Sequence, residues 1–306
     1  MTWLEAADWP EERPGDRFAA LVEQPGIVRI PGAHNAMAGL LAKKAGFDCL
    51  YISGAAVTAS LGIPDVGILS LDELCFFTRS IYRATRLPIL VDADTGYGEV
   101  MNVMRSVREL EAAGAAAMQM EDQVLPKKCG HLNGKQLVTT EEMCEKIAAA
   151  RRARTHLRIV ARTDAVANEG LEGGIARAQA YVRAGADYAF ADGVTDADGF
   201  RRFADECGAP FMANMTEFGK TPYYTAAEFE EMGCKLVIWP VSSMRAAAKA
   251  MEGVYAELKE KDTLFGHLDK MQTRAELYET IGYHDFEALD ASVAKTIVPE
   301  DRRTRN

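Results

Sequence analysis

The sequence predicts an α/β protein, a closed (β/α)8 or TIM barrel with additional C-terminal helices, on three observations. Eight short, apolar, β-rich runs recur along the chain. Between them lie segments with the i, i+3, i+4 spacing of amphipathic helices. Four of the junctions repeat one order, a helix end, a glycine, then a strand: KKAGFDCLYIS, EAAGAAAMQME, VRAGADYAFAD and EEMGCKLVIWP. Strands alternating with helices pair in parallel through right-handed crossovers, and eight such units suit closure into a barrel. An open doubly wound sheet shares the alternation; the count of eight favours the barrel.

In chain order the runs are GIVRIPG (26–32), DCLYISG (48–54), PILVDADTG (88–96) and AAMQMED (116–122). They continue with LRIVART (157–163), DYAFADG (187–193), PFMANMTE (210–217) and KLVIWPVS (235–242). The helical segments include AMAGLLAKKAG, VMRSVRELEAAG, TEEMCEKIAAARRA and GGIARAQAYVRAG. Gly46, Gly114, Gly185 and Gly233 fit the left-handed helix C-cap that glycine adopts at little cost. Nothing between Gly26 and Val241 has the composition of a linker, so residues 1–306 are expected to form one domain. A more polar helical extension is expected over about 252–300.

Composition narrows the function. A net charge of −10 argues against nucleic acid or anionic membranes as partners, since both demand a basic surface. The start, MTWLEAADWPEERPGD, is acidic and lacks the apolar run of a targeting segment. No stretch reaches the roughly 20 apolar residues of a membrane helix. Six scattered cysteines (49, 75, 129, 144, 207 and 234) with no C-x-x-C spacing are expected to be free thiols of a cytoplasmic protein.

Against this acidity, EDQVLPKKCGHLNGKQLV (121–138) gathers Lys127, Lys128, Cys129 and His131 in one loop with Gly130 and Gly134. A basic run is ordinarily a solvated surface loop. Free cysteine, however, is usually buried, and packing seldom places it in a polar, glycine-rich loop. Neighbouring cations would lower its pKa and fit it to act as nucleophile or as proton donor and acceptor.

Barrel enzymes place their chemistry where strands run into the following loops. The strand ends here are Ser53-Gly54, Asp92 and Asp94, Glu121-Asp122, Arg162 and Asp164, Asp192, Asn214-Thr216-Glu217 and Ser242-Ser243. Polar residues at strand ends also meet solvent or cap helices; so many strands ending alike points to a site. Asp92 and Asp94, at i and i+2, are expected on one side of their strand. With Glu121 and Asp192 they would form an oxygen-rich cage suited to Mg2+ or Mn2+. Cys129 and His131 lack the further partners that a zinc site requires.

KKCGH, with VDADTGYG, MEDQ, ARTDA, NMTEFG and MQTR, resembles the isocitrate lyase / phosphoenolpyruvate mutase superfamily. The similarity runs over nearly the whole chain, from PGAHNAMAGLLAKKAG (31–46) to ELYETIGYHDFEALD. KKCGH-x-x-GK is a lyase signature that phosphonate-forming mutases lack; isocitrate lyases share it but are longer, with inserted segments. The resemblance implies a carbon–carbon lyase that cleaves (2R,3S)-2-methylisocitrate to pyruvate and succinate, the methylcitrate-cycle step of propionate catabolism. Related 2-hydroxy dicarboxylates such as 2,3-dimethylmalate, isocitrate and oxaloacetate are the alternative substrates. It further implies a homotetramer with a C-terminal helix exchanged between paired subunits.

By the same resemblance, Asp92 would hold Mg2+ (or Mn2+) most directly, with Asp65, Asp94, Glu121 and Asp192 completing the shell largely through water. Cys129, Lys127, His131 and Tyr51 would be the catalytic groups, Cys129 as proton donor. Ser53, Gly54, Ala55, Gly130, Arg162, Asn214 and Thr216 would bind the substrate. The chain departs from the family at one point: Ala191, Asp192 and Gly193 stand where relatives carry Pro-Glu-Ala, so the carboxylate is one methylene shorter.

Overall fold

The computed structural model describes residues 2–128 and 134–293. Eight strands, β1 Val28–Pro31, β2 Leu50–Ile52, β3 Ile89–Asp92, β4 Ala117–Glu121, β5 Arg158–Thr163, β6 Tyr188–Ala191, β7 Phe211–Asn214 and β8 Leu236–Trp239, fall one in each expected run. All pair in parallel, in the order β1-β8-β7-β6-β5-β4-β3-β2. The ring closes between β1 and β2, where Gly32 bridges to Tyr51 and the Ala33 N–H donates to the Tyr51 carbonyl at 2.8 Å. Only glycine fits at that seam, because a Cβ on Gly32 would lie 2.2 Å from the Pro240 carbonyl oxygen.

The helices between strands begin and end on local chemistry. Capping boxes at Ser70/Glu73, Thr139/Glu142 and Thr225/Glu228 satisfy the first amides of the helices Leu71–Thr85, Thr140–Ala153 and Ala226–Glu231. The four expected C-cap glycines all adopt positive φ. Two elements before β1 have no counterpart in the sequence expectations, the 3-10 turn Ala6–Asp8 and the helix Pro14–Glu23, which inserts Phe18 and Val22 among Ile30, Leu90, Val160 and Leu236, inward residues of the strands. Each such buried side chain contributes about 1.5–3 kcal/mol.

Strand side chains alternate between the barrel interior and the helix layer. The outward residues, among them Ile89, Val91, Met118 and Ile159, pack beneath the helices. The inward ones lead to the site. Leu90 is followed two residues on by Asp92, Gln119 by Glu121, Val160 by Arg162, Phe190 by Asp192, and Met212 by Asn214. The period that fills the barrel therefore also carries polar side chains to its C-terminal mouth.

The helix Ser242–Lys261 has no buried residue and leaves Met251, Tyr255 and Leu258 exposed. Beyond it come a 3-10 segment, Phe265–Lys270, and the helices Arg274–Ile281 and Tyr283–Ser292, as the extension was expected to be. Among the described residues no helix is long and apolar enough to cross a membrane, and the described cysteines are free.

Candidate active site

A cavity of about 230 Å³ opens at the C-terminal mouth. Tyr51, Ser53 and Ala55 line it from β2 and the turn after it, and Asp65 and Asp92 line the same side. Lys127, Arg162, Asp192, Asn214 and Thr216 complete the expected residues on its wall. Gly54, Asp94 and Glu121 touch this wall through Asp92, Lys127 and Arg162 respectively. Cys129, Gly130 and His131 lie outside the described residues.

Asp92 is fixed from three directions. It accepts from the Gly54 amide at 3.2 Å, from the Gln119 side chain at 3.3 Å and from the Asp94 amide at 3.4 Å. The Asp92 and Asp94 carboxylates do lie on one side, both beside Gly54, but a turn brings them there and not the strand pleat. β3 ends at Asp92, and Asp94 adopts φ +47, so the chain has already turned there. Asp94 reaches the site through Lys127, whose Nζ lies 2.5 Å from Asp94 Oδ1 and 2.8 Å from Asp65 Oδ1.

These charges set one another's ionisation. Burial, set against the Lys127 ammonium, raises Asp94 to about 6. Burial likewise pushes Glu121 well above the usual carboxylate range. Burial opposes the charge on Lys127, but Asp92, Glu121, Asp94 and Asp65 together hold it firmly protonated. Tyr51, driven up by burial and then by Asp92, remains a phenol and donates to Gln119 Oε1 at 3.2 Å.

On the opposite strands Arg162 is held by carboxylates. Its Nε and Nη2 donate to the two oxygens of Asp164 at 2.9 and 3.0 Å, a bidentate fork. Nη2 also donates to Asp192 at 2.9 Å, and Nη1 lies 3.3 Å from Glu121 Oε2. The guanidinium packs 5.4 Å from the centre of the Phe190 ring. Burial would raise the Asp164 pKa, but Arg162 and Lys135 hold it down at about 2.

Three participants had no assigned role in the sequence expectations, although Asp164 was among the polar strand ends. Gln119 links Tyr51 to Asp92; Asp164 grips Arg162; and Lys135 meets Asp164. Signals for each were present: Gln119 lies two before Glu121, Asp164 two after Arg162, and Lys135 is the final lysine of KKCGH-x-x-GK.

The donor set fits a hard divalent cation. Every candidate ligand is a carboxylate, and Glu121 Oε1 is buried without a hydrogen-bond partner among the described residues. Around Gly54 three carboxylate oxygens converge: a Cβ there would lie 3.3 Å from Asp94, 3.4 Å from Asp92 and 3.6 Å from Asp65. The Lys127 ammonium already stands between two of these carboxylates as a cation. Among the described residues no three side chains close on a point as direct ligands. The carboxylate oxygens that line the cavity are the donor type that Mg2+ takes.

Comparison with known proteins bears on the same site. Residues 18–259 match the phosphoenolpyruvate phosphomutase family. The chain is 52% identical to the 2-methylisocitrate lyase of Bacillus subtilis, over 98% of its own length and 100% of that protein. It belongs to the phosphoenolpyruvate mutase/isocitrate lyase superfamily. Within the superfamily a 2,3-dimethylmalate lyase superposes with a TM-score of 0.86 at 35% identity, over 92% of this chain and 96% of that one. Phosphonopyruvate hydrolase, solved with oxalate and Mg2+, superposes with a TM-score of 0.84 at 29% identity, over 93% of this chain and 100% of that one. The superfamily's barrel and this chain's barrel are therefore the same over nearly the full length.

Proposed function

We propose that the protein is a Mg2+-dependent carbon–carbon lyase cleaving (2R,3S)-2-methylisocitrate to pyruvate and succinate. The observation that carries this reading is a cavity whose wall interleaves three aspartates, Asp65, Asp92 and Asp192, with two buried cations, Lys127 and Arg162. The identity to 2-methylisocitrate lyase along the whole chain supports the choice of substrate.

Cleavage removes the hydroxyl proton, breaks the C2–C3 bond and passes its electron pair to the succinate fragment. That fragment then takes up one proton at carbon. Asp92, Asp94, Glu121, Asp65 and Asp192 would hold Mg2+, which supplies Lewis acidity toward oxygen. Tyr51, kept as a phenol, can turn its one hydroxyl proton from Gln119 to an oxyanion in the pyruvate half beside Ser53, Gly54 and Ala55. Lys127 and Arg162, both held charged by neighbouring carboxylates, stabilise the negative charge that moves into the succinate half. Asn214, whose Oδ1 is buried without a partner among the described residues, and Thr216 would orient the substrate. Cys129 would deliver the proton to carbon, with His131 and Gly130 beside it. Lys127 is engaged as an ammonium in ion pairs with Asp65 and Asp94, which argues against its use as a Schiff-base nucleophile.

We also propose a homotetramer with exchanged C-terminal helices, since the helix Ser242–Lys261 leaves its apolar residues uncovered within one chain.

EDTA is expected to abolish pyruvate release from 2-methylisocitrate, and added Mg2+, or Mn2+ in its place, to restore it. Full turnover in EDTA, or borohydride trapping of a substrate–lysine adduct, would contradict the proposed chemistry.

A further inference from the structure

We propose that Lys135 is a positioning residue that offsets the charge of Asp164, so that Arg162 can hold a carboxylate of the substrate. This rests on the proposed function only in taking the substrate to be a polycarboxylate. Arg162 meets Asp164, Asp192 and Glu121 together. Asp192 and Glu121 are assigned to Mg2+ in the proposed function, whereas the Asp164 carboxylate lies in the fork of Arg162 and offsets the positive charge that an anion would meet there. Lys135 Nζ lies 2.7 Å from Asp164 Oδ1, and both side chains are 0% exposed. The same oxygen accepts from Arg162 Nη2 at 3.0 Å, so lysine and arginine share it.

Both partners are held by the surrounding scaffold. The Asp164 amide donates to Asp122 Oδ1 at 2.9 Å, and Asp122 in turn accepts from Thr163 and Tyr181, each at 2.8 Å. The Lys135 carbonyl accepts from the Asn168 side chain at 2.9 Å. Burying an ion pair costs desolvation that an apolar pair avoids, so stability alone is a weak reason for this one. An ammonium placed behind the carboxylate that grips Arg162 does have an electrostatic consequence at the cavity. It returns positive character to the guanidinium edge on the cavity wall, where an anion would dock.

The test uses the full-length protein with Mg2+. Lys135→Met is expected to raise the KM for 2-methylisocitrate, and the Kd for succinate measured by calorimetry, by about tenfold or more, the scale on which supporting residues act. The effect on kcat is expected to be smaller. Lys135→Arg retains the charge and is expected to bind close to wild type. The decisive variant is Lys135→Met/Asp164→Asn: removing the carboxylate as well as its counter-charge should recover much of the lost affinity. A purely structural lysine predicts the reverse, a double variant no better than the single one. Either that result or unchanged affinity in Lys135→Met would overturn the proposal, as would failure of wild type to bind both succinate and oxalate. Lys135→Gln carries the same comparison if Lys135→Met does not fold. Wild type that binds succinate but releases no pyruvate from 2-methylisocitrate would count against the assigned reaction, not against Lys135.

Discussion

Arg162→Met is expected to weaken the fold and the reaction together. The substitution leaves Asp164, Asp192 and Glu121 buried at the barrel mouth without the guanidinium that joins them. Breaking a buried ion pair from one side costs about 3–5 kcal/mol, a large part of the roughly 5–15 kcal/mol by which domains are stable. At about 2–4 °C per kcal/mol, Tm should fall by roughly 6–20 °C. Turnover should fall about 10²–10³-fold or more at temperatures where the variant remains folded, the effect of deleting one preorganised donor to developing charge. Arg162→Lys keeps the charge but not the fork, and should recover stability more fully than activity. Thermal denaturation and steady-state kinetics of the two variants check both parts. An Arg162→Met protein that melts with wild type would show that the cluster is not held by this residue.

Cys129→Ser should behave in the opposite way, losing turnover while leaving the fold intact. The residue lies outside the described part of the structure, so this expectation rests on its setting in KKCGH beside Lys127 and His131. A hydroxyl is a far weaker acid than a thiol next to cations. General acid catalysis is worth about 10²–10⁴-fold, and kcat should fall on that scale. KM and Tm should change little, because serine matches cysteine in shape. Kinetics paired with a melting curve separates the outcomes: near-normal turnover would remove Cys129 from the mechanism.

The barrel was legible because one period carries two kinds of information. Alternation marks the residues that fill the interior, and continuing it by one step finds Asp92, Glu121, Arg162, Asp192 and Asn214 at the mouth. Beyond β3 the rule reached the right side for a different reason: the pleat stops where φ becomes positive, and a turn sets the Asp94 carboxylate beside Asp92. The capping boxes were equally open to local reading, since Ser, Thr and Glu three residues apart need no tertiary partner. What stayed hidden depends on distant pairs. Gln119 bonds a residue 27 positions away and Lys135 one 29 away, and no local pattern joins them. The helix Pro14–Glu23 was missed for a related reason: the barrel floor that buries Phe18 exists only once the strands have closed. Asp192, the short carboxylate of the expected cage, is held by Arg162 at 2.9 Å, so the missing methylene leaves it within reach of the arginine cluster.

Substrate choice is the remaining discriminating quantity, because one methyl group is worth only about 1–3 kcal/mol in a pocket. The direct measurement is kcat/KM for 2-oxo acid release from 2-methylisocitrate, isocitrate, 2,3-dimethylmalate and oxaloacetate, each with Mg2+. The expected result is the highest value for 2-methylisocitrate, with pyruvate and succinate formed in equal amounts. A higher value for any of the other three, or no cleavage of 2-methylisocitrate, would contradict it.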